Sequence, residues 1–173
     1  KRQVLGLGKL PVYQDEQFRY LTEKLNGYIT GAYIYNKMGL TEQVATTITI
    51  ATPNPVRRFR FKNLDIECVK AYCMVYPDES LVPYLRLLDA IKDMKRIPGT
   101  TGQDIYNRVK SQYFNGYSLP ELEKIVSLAK SYPPRVRKVV ADILGDIRQT
   151  VLQTEMAKTI LPTTRFNLDY KTA

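Results

Sequence analysis

Histidine is absent from this 173-residue chain, and cysteine occurs only as Cys68 and Cys73. Without an imidazole there is no Ser-His-Asp or Cys-His nucleophile, no His-ligated zinc, and no proton shuttle of the commonest kind near neutral pH. Two cysteines are too few for a disulfide framework or a four-cysteine zinc site. Their odd separation would place them on opposite faces of an extended chain, so they read as buried or idle thiols of a reducing compartment. No apolar run reaches the length of a membrane span, and no charged-then-apolar leader precedes a cleavage site. The expectation is therefore a cytoplasmic protein with no membrane partner, no metal and no cofactor. The chain begins at Lys1 rather than with methionine, as expected of a fragment whose upstream domain is missing.

What is present supports one core. A hydrophobic content of 44% in 173 residues can bury a single domain, with a helical annex at most. A formal charge of +9 and a pI near 9.5 favour an acidic partner, although the same charge also keeps a protein soluble.

The organising stretch is 27–69. Before it, residues 1–13 read as a linker, and Gly6-x-Gly8 lacks the third glycine and the setting of a phosphate loop. Asp15 is placed to cap a first helix carrying Phe18, Leu21 and Leu25, which Asn26-Gly27 would stop. Thr30 is placed to cap a second, short helix closed by Gly39. Two such helices followed by a hairpin also describe a winged helix-turn-helix, a stand-alone DNA-binding regulator. Against it, the second helix offers tyrosines, Asn36 and Lys37, a thin set for reading bases or phosphates.

Thr47 to Thr52 alternates as a strand with one buried face, ended by Pro53-Asn54-Pro55. If Lys62-Asn63 is a two-residue turn, with Asn63 in the left-handed region, one register follows. Phe61 faces Leu64 and Phe59 faces Ile66 on one side, while Arg60 faces Asp65 and Arg58 faces Glu67 on the other. The basic run Arg57, Arg58, Arg60 and Lys62 then has two readings: a cationic strand tracking phosphates, or a solvated face opposite carboxylates. The register favours the second, since two of the four cations have partners. Asp65, Glu67 and Lys70 also suggest a metal-dependent nuclease or nucleotidyltransferase, but their spacing does not suit a carboxylate-x-lysine pair.

Beyond Pro77 come helices. Asp78 or Ser80 caps one with Leu85, Leu88 and Ile91 inward, and Thr101 opens another with Ile105, Val109 and Tyr113. Ser118 and Glu121 fit a capping box, and a final helix from Pro134 carries Val136, Val139, Val140, Ile143, Leu144 and Ile147. Arg135, Arg137 and Lys138 crowd its first turn, where the helix dipole favours anions, so they mark either an anion site or a chance surface cluster. Residues 151–173 read as a tail in which Phe166, Leu168 and Tyr170 alternate, able to add a strand or dock on a partner. The 13 tyrosines could stack on bases, but positions such as Tyr106 and Tyr113 point to packing.

The resulting expectation is an α+β domain over 14–150: two short N-terminal helices, a small β-sheet with a hairpin (sheet part 14–76), and a C-terminal helical half (78–150). Its candidate contacts with nucleic acid or an acidic partner are Arg57, Arg58, Arg60, Lys62, Arg135, Arg137 and Lys138, and no residue is assigned to catalysis.

At Gly27-Tyr28-Ile29-Thr30-Gly31, Gly39-Leu40-Thr41-Glu42-Gln43-Val44 and Ile48-Thr49-Ile50-Ala51-Thr52, the chain resembles the antitoxin family of bacterial abortive-infection, type IV toxin-antitoxin pairs. The stretch Tyr132-Pro133-Pro134 with Val136 and Val139 is also similar to relatives of that family. The resemblance implies a domain found downstream of a winged helix that binds promoter DNA. It also implies a cognate toxin, typically a nucleotidyltransferase, countered without a tight complex. It brings no catalytic residues. The winged helix has no counterpart here, so DNA recognition would belong to an upstream domain.

Overall fold

A computed structural model describes residues 9–55, 57–73, 78–167 and 170, with side chains from residue 14 onward. It is the α+β arrangement that the sequence predicts, with a four-stranded mixed sheet followed by a helical half.

Helix α1 spans Lys9–Leu25 and opens inside the stretch expected to be linker. Pro11 falls at its third residue, where a backbone N–H has no intrahelical partner to lose, so proline is tolerated and Asp15 is not the cap. Phe18, Leu21 and Leu25 are buried at helical spacing. Asn26 takes the left-handed conformation that ends the helix, with φ 50°. Gly27 is needed for a different reason: a Cβ there would stand 2.2 Å from the Ala51 carbonyl oxygen.

Strand β1, Tyr28–Thr30, is an element the sequence did not announce. Its three residues are all buried, so no polar alternation marks it. Thr30 is therefore not the cap of α2 (Ala32–Lys37); Gly31 occupies that position without a side-chain cap. The end of α2 is as expected: Gly39 has φ 74°, Gly39 N–H donates to Asn36 O and Leu40 N–H to Tyr35 O.

Strands β2 (Thr47–Thr52), β3 (Arg58–Phe61) and β4 (Leu64–Lys70) complete the sheet in the order β1-β2-β4-β3. The β3–β4 hairpin has the anticipated register throughout. The left-handed residue in its turn is Lys62, at φ 54°, rather than Asn63. Unanticipated is the parallel pairing of β4 with β2, which inserts β4 between the hairpin edge and the rest.

The pleat sorts residues to two faces. Ile48, Ile50, Ile66, Phe59 and Phe61 share one, covered by α1, whose Tyr20 ring stacks on Phe61 at 5.5 Å. Tyr28, Thr30, Thr49, Glu67 and Arg58 share the other, toward the helical half. Cys68 is buried within β4, whereas Cys73 lies beyond the strand with its thiol pushed up in pKa by burial.

The helical half begins with a 3-10 turn, Glu79–Leu81, capped by Asp78, and runs through α3 (Val82–Asp93) and α4 (Gly102–Gln112, capped by Thr101). Helix α5 (Leu119–Ala129) has both hydrogen bonds of the Ser118–Glu121 capping box. Helix α6 spans Pro134–Asp146 and buries Val136, Val139, Val140, Ile143 and Leu144. The stretch expected as tail starts with a further helix, α7 (Thr150–Ala157), which buries Leu152 and Met156. Arg148, at φ 63°, makes the reversal from α6. Tyr170 docks on its own chain: it is buried, stacks on Tyr106 at 4.8 Å and donates to Asp142 Oδ2 at 2.8 Å. Leu168 lies outside the described residues.

One carboxylate joins the sheet to these helices. Asp89 sits 2% exposed in the middle of α3 and accepts hydrogen bonds from Tyr28 Oη (2.7 Å), Thr30 Oγ1 (2.8 Å) and Tyr132 Oη (2.7 Å). Burial raises its pKa, opposed by Lys92 and by the hydroxyl donors. The same burial, reinforced by Asp89, raises the Tyr28 and Tyr132 phenols far above their usual range.

Replacing Asp89 by alanine orphans these hydroxyls and is expected to cost about 3 kcal/mol or more, at roughly 1 to 3 kcal/mol per unsatisfied buried group. Asp89→Asn keeps the volume and one acceptor and should cost less. Because the folded pKa is raised, the carboxyl's contribution is complete below its unfolded pKa of about 3.9 and is lost as pH rises through the folded value. Urea unfolding at about pH 4 and about pH 7 should therefore show wild type gaining on Asp89→Asn as pH falls.

Candidate anion-binding cleft

On the sheet face turned to the helices, register aligns Thr30, Thr49, Glu67 and Arg58 in one transverse row. Thr30 ends on buried Asp89, while Arg58 stands in solvent at the hairpin edge. Between them the sheet and helices part into a cleft of about 590 Å³. Thr49, Glu67 and Val69 supply its sheet wall, and the start of α2 and Tyr35 a second wall. The C-terminal end of α3 contributes Lys92 and Asp93, the turn that follows it contributes Arg96, and the start of α6 contributes Arg135. Lys70, the last residue of β4, and Tyr72, just past it, also line the cleft.

Its groups are held by defined contacts. Lys92 Nζ lies 3.7 Å from Asp93 Oδ1, and buried Tyr35 donates to Asp93 Oδ2 at 2.6 Å. Burial, then the neighbouring Asp93, raises the Tyr35 phenol well above its ordinary value, so it stays a donor. The Tyr72 ring takes the ammonium of Lys70 at 5.2 Å and that of Lys92 at 5.5 Å, and stacks on Tyr132 at 5.1 Å. Tyr132 is one of the donors to Asp89. A continuous chain of contacts thus runs from the buried carboxylate to the cleft cations. Among the described residues that line it, four cations (Lys70, Lys92, Arg96, Arg135) outnumber two carboxylates (Glu67, Asp93), which suits an anion.

Of the seven cations singled out from the sequence, only Arg135 lines this cleft. The hairpin set stands beside it: Arg58 meets Glu67 at 2.5 Å, Arg60 meets Asp65 at 4.0 Å, Arg57 lies 4.9 Å from the Phe59 ring, and Lys62 5.6 Å from that of Phe61. Arg58 joins the two regions, since Glu67 both accepts it and lines the cleft. Arg137 and Lys138 are engaged by their own chain. Arg137 donates to the Tyr132 and Thr159 carbonyls, and Lys138 pairs with Asp142 at 2.8 Å. The first-turn cluster therefore splits three ways, because successive helical positions lie on different faces.

Lys92 and Arg96 carried a weak signal. A lysine in the last turn of α3 suits the helix dipole, but nothing local says that α3 ends beside β4. The acids weighed for metal chemistry each face an arginine, and among the described residues no three His, Cys, Asp or Glu side chains stand together. The geometry also differs from a helix-turn-helix. β1 separates α1 from α2, α2 has six residues, Asn36 donates to Thr41 O, and Lys37 sits on the Tyr33 ring at 4.7 Å.

Compared with protein-family models, curated proteins and solved structures, the chain matches none.

The exposed hairpin pairs and the engaged helix cation should separate in a stability series. Arg58→Ala and Arg60→Ala are each expected to change unfolding free energy by less than about 1 kcal/mol, as exposed ion pairs do. Arg137→Ala leaves two backbone carbonyls without their donor and should cost roughly 1 to 3 kcal/mol in the same urea titration.

Proposed function

We propose that this chain is the antitoxin-side regulatory domain of a bacterial toxin-antitoxin or phage-defence pair, working in the cytoplasm by binding rather than by catalysis. Two supports differ in kind. The assignment to a toxin-antitoxin pair rests on the resemblance at 27–31, 39–44 and 48–52. Binding of a polyanion rests on one observation: the hairpin cations Arg58 and Arg60 share a sheet face with the cleft that gathers Lys70, Lys92, Arg96 and Arg135.

The partner that best suits this surface is a nucleic-acid strand. Phosphate contacts come from arginine and lysine side chains along a groove, carry no sequence information, and supply affinity by counterion release. Sequence-specific operator recognition would stay with the upstream winged helix that the resemblance implies. The nucleotidyltransferase toxin need not touch this surface.

The test is fluorescence anisotropy of the full chain with a labelled single strand and a labelled duplex, at about 50 mM and about 150 mM salt. Binding that persists at the higher salt is expected. Arg58→Glu combined with Arg60→Glu should weaken it at least about tenfold and lower the slope of log K against log salt by about two. Binding that vanishes at the higher salt, for both oligonucleotides, would overturn the nucleic-acid reading.

A further inference from the structure

We infer that the cleft holds the phosphoryl groups of a small ligand bearing two or more linked phosphates. The inference deepens the reading of the cleft as an anion site, but it requires neither the hairpin nor a nucleic-acid strand.

Shape and charge carry it. A volume of about 590 Å³ falls within the roughly 300 to 1,000 Å³ of small-molecule sites. The wall that Tyr35 supplies is firm, since Tyr35 is 2% exposed and its hydroxyl is fixed on Asp93. Lys70 and Lys92 share the Tyr72 ring. Two ammoniums on one ring repel each other, and a nearby anion offsets that repulsion. Arg96 is exposed, and among the described residues its guanidinium has neither a hydrogen bond nor an ion pair. It leaves a planar fork available for bidentate phosphate contact.

The carboxylates set the ligand's charge. Glu67 already answers Arg58, and Asp93 answers Lys92 and Tyr35, so both are occupied, and among the described residues neither is paired with Lys70 or Arg96. A single phosphate reaches only part of a cleft whose cations come from the end of β4, the end of α3 and the start of α6. Linked phosphoryl groups span more of it and bring several negative charges in a small volume.

The experiment is isothermal titration of the full chain with inorganic triphosphate, inorganic phosphate and citrate at about 150 mM salt. The expected result is one triphosphate per chain, bound at least tenfold tighter than phosphate or citrate. Arg96→Glu and Lys70→Glu, both at exposed positions, should each weaken triphosphate at least tenfold with an unchanged circular dichroism spectrum. Triphosphate binding no tighter than phosphate or citrate, or binding indifferent to both substitutions, would overturn the inference. An oligonucleotide arm separates the two proposals. A strand that binds where triphosphate does not leaves the nucleic-acid reading standing alone. Triphosphate that binds where the strand does not supports the small-ligand site and removes that reading.

Discussion

A carboxylate in the middle of an apolar helix face would be costly if left alone, because burial removes water that nothing else replaces. Asp89 is tolerated in α3 because three hydroxyls from two places converge on it: Tyr28 and Thr30 from β1, and Tyr132 from the loop between α5 and α6. The arrangement works in both directions. The carboxylate needs those donors, and the donors position the two halves of the molecule, since β1 is otherwise a three-residue edge strand. Arg86 adds to the same seam by donating to the Ile29 carbonyl at 2.8 Å, which covers part of the β1 edge. The cleft depends on this seam too, because Tyr132 supports Tyr72 and Tyr72 carries two of the cleft lysines.

The same chemistry recurs through the helical half and gives the abundant tyrosines a common role. Tyr35 donates to Asp93, Tyr106 to Asp146, Tyr170 to Asp142 and, at the surface, Tyr84 to Glu121. Each ring fills core or half-buried space while its hydroxyl meets an acid, so an amphipathic side chain is satisfied at both ends. Burial raises the Tyr35 and Tyr106 phenols well above their usual range, which keeps them protonated donors at any physiological pH. Tyr170 extends this pattern to the C-terminal segment and ties it across α4 and α6.

What the sequence made legible was local. The hairpin register came from alternation and charge together, and the Ser118–Glu121 box, the Thr101 cap and the Gly39 stop each have a short-range signature. The losses were non-local or lacked such a signal. Strand β1 is buried along its whole length, so neither alternation nor length marked it. Thr30 looked like a helix cap because its true acceptor lies 59 positions away. Helix α7 has little amphipathic pattern and is secured by packing on α6 rather than by its own sequence. For the same reason the candidate site was half seen. Arg135 and the hairpin arginines were visible as local cation clusters, whereas Lys92 and Arg96 join Lys70 only through the seam at Asp89.

The central claim is that the fold gathers cations from the end of β4, the end of α3 and the start of α6 into one anion-binding cleft. Amide chemical-shift perturbation by NMR, following inorganic triphosphate added to the isotope-labelled full chain at about 150 mM salt, tests it residue by residue. Saturable shifts concentrated at Lys70, Tyr72, Lys92, Arg96 and Arg135 are the predicted result. Shifts confined to the β3–β4 hairpin, or weak and unsaturable changes spread over the basic surface, would contradict it.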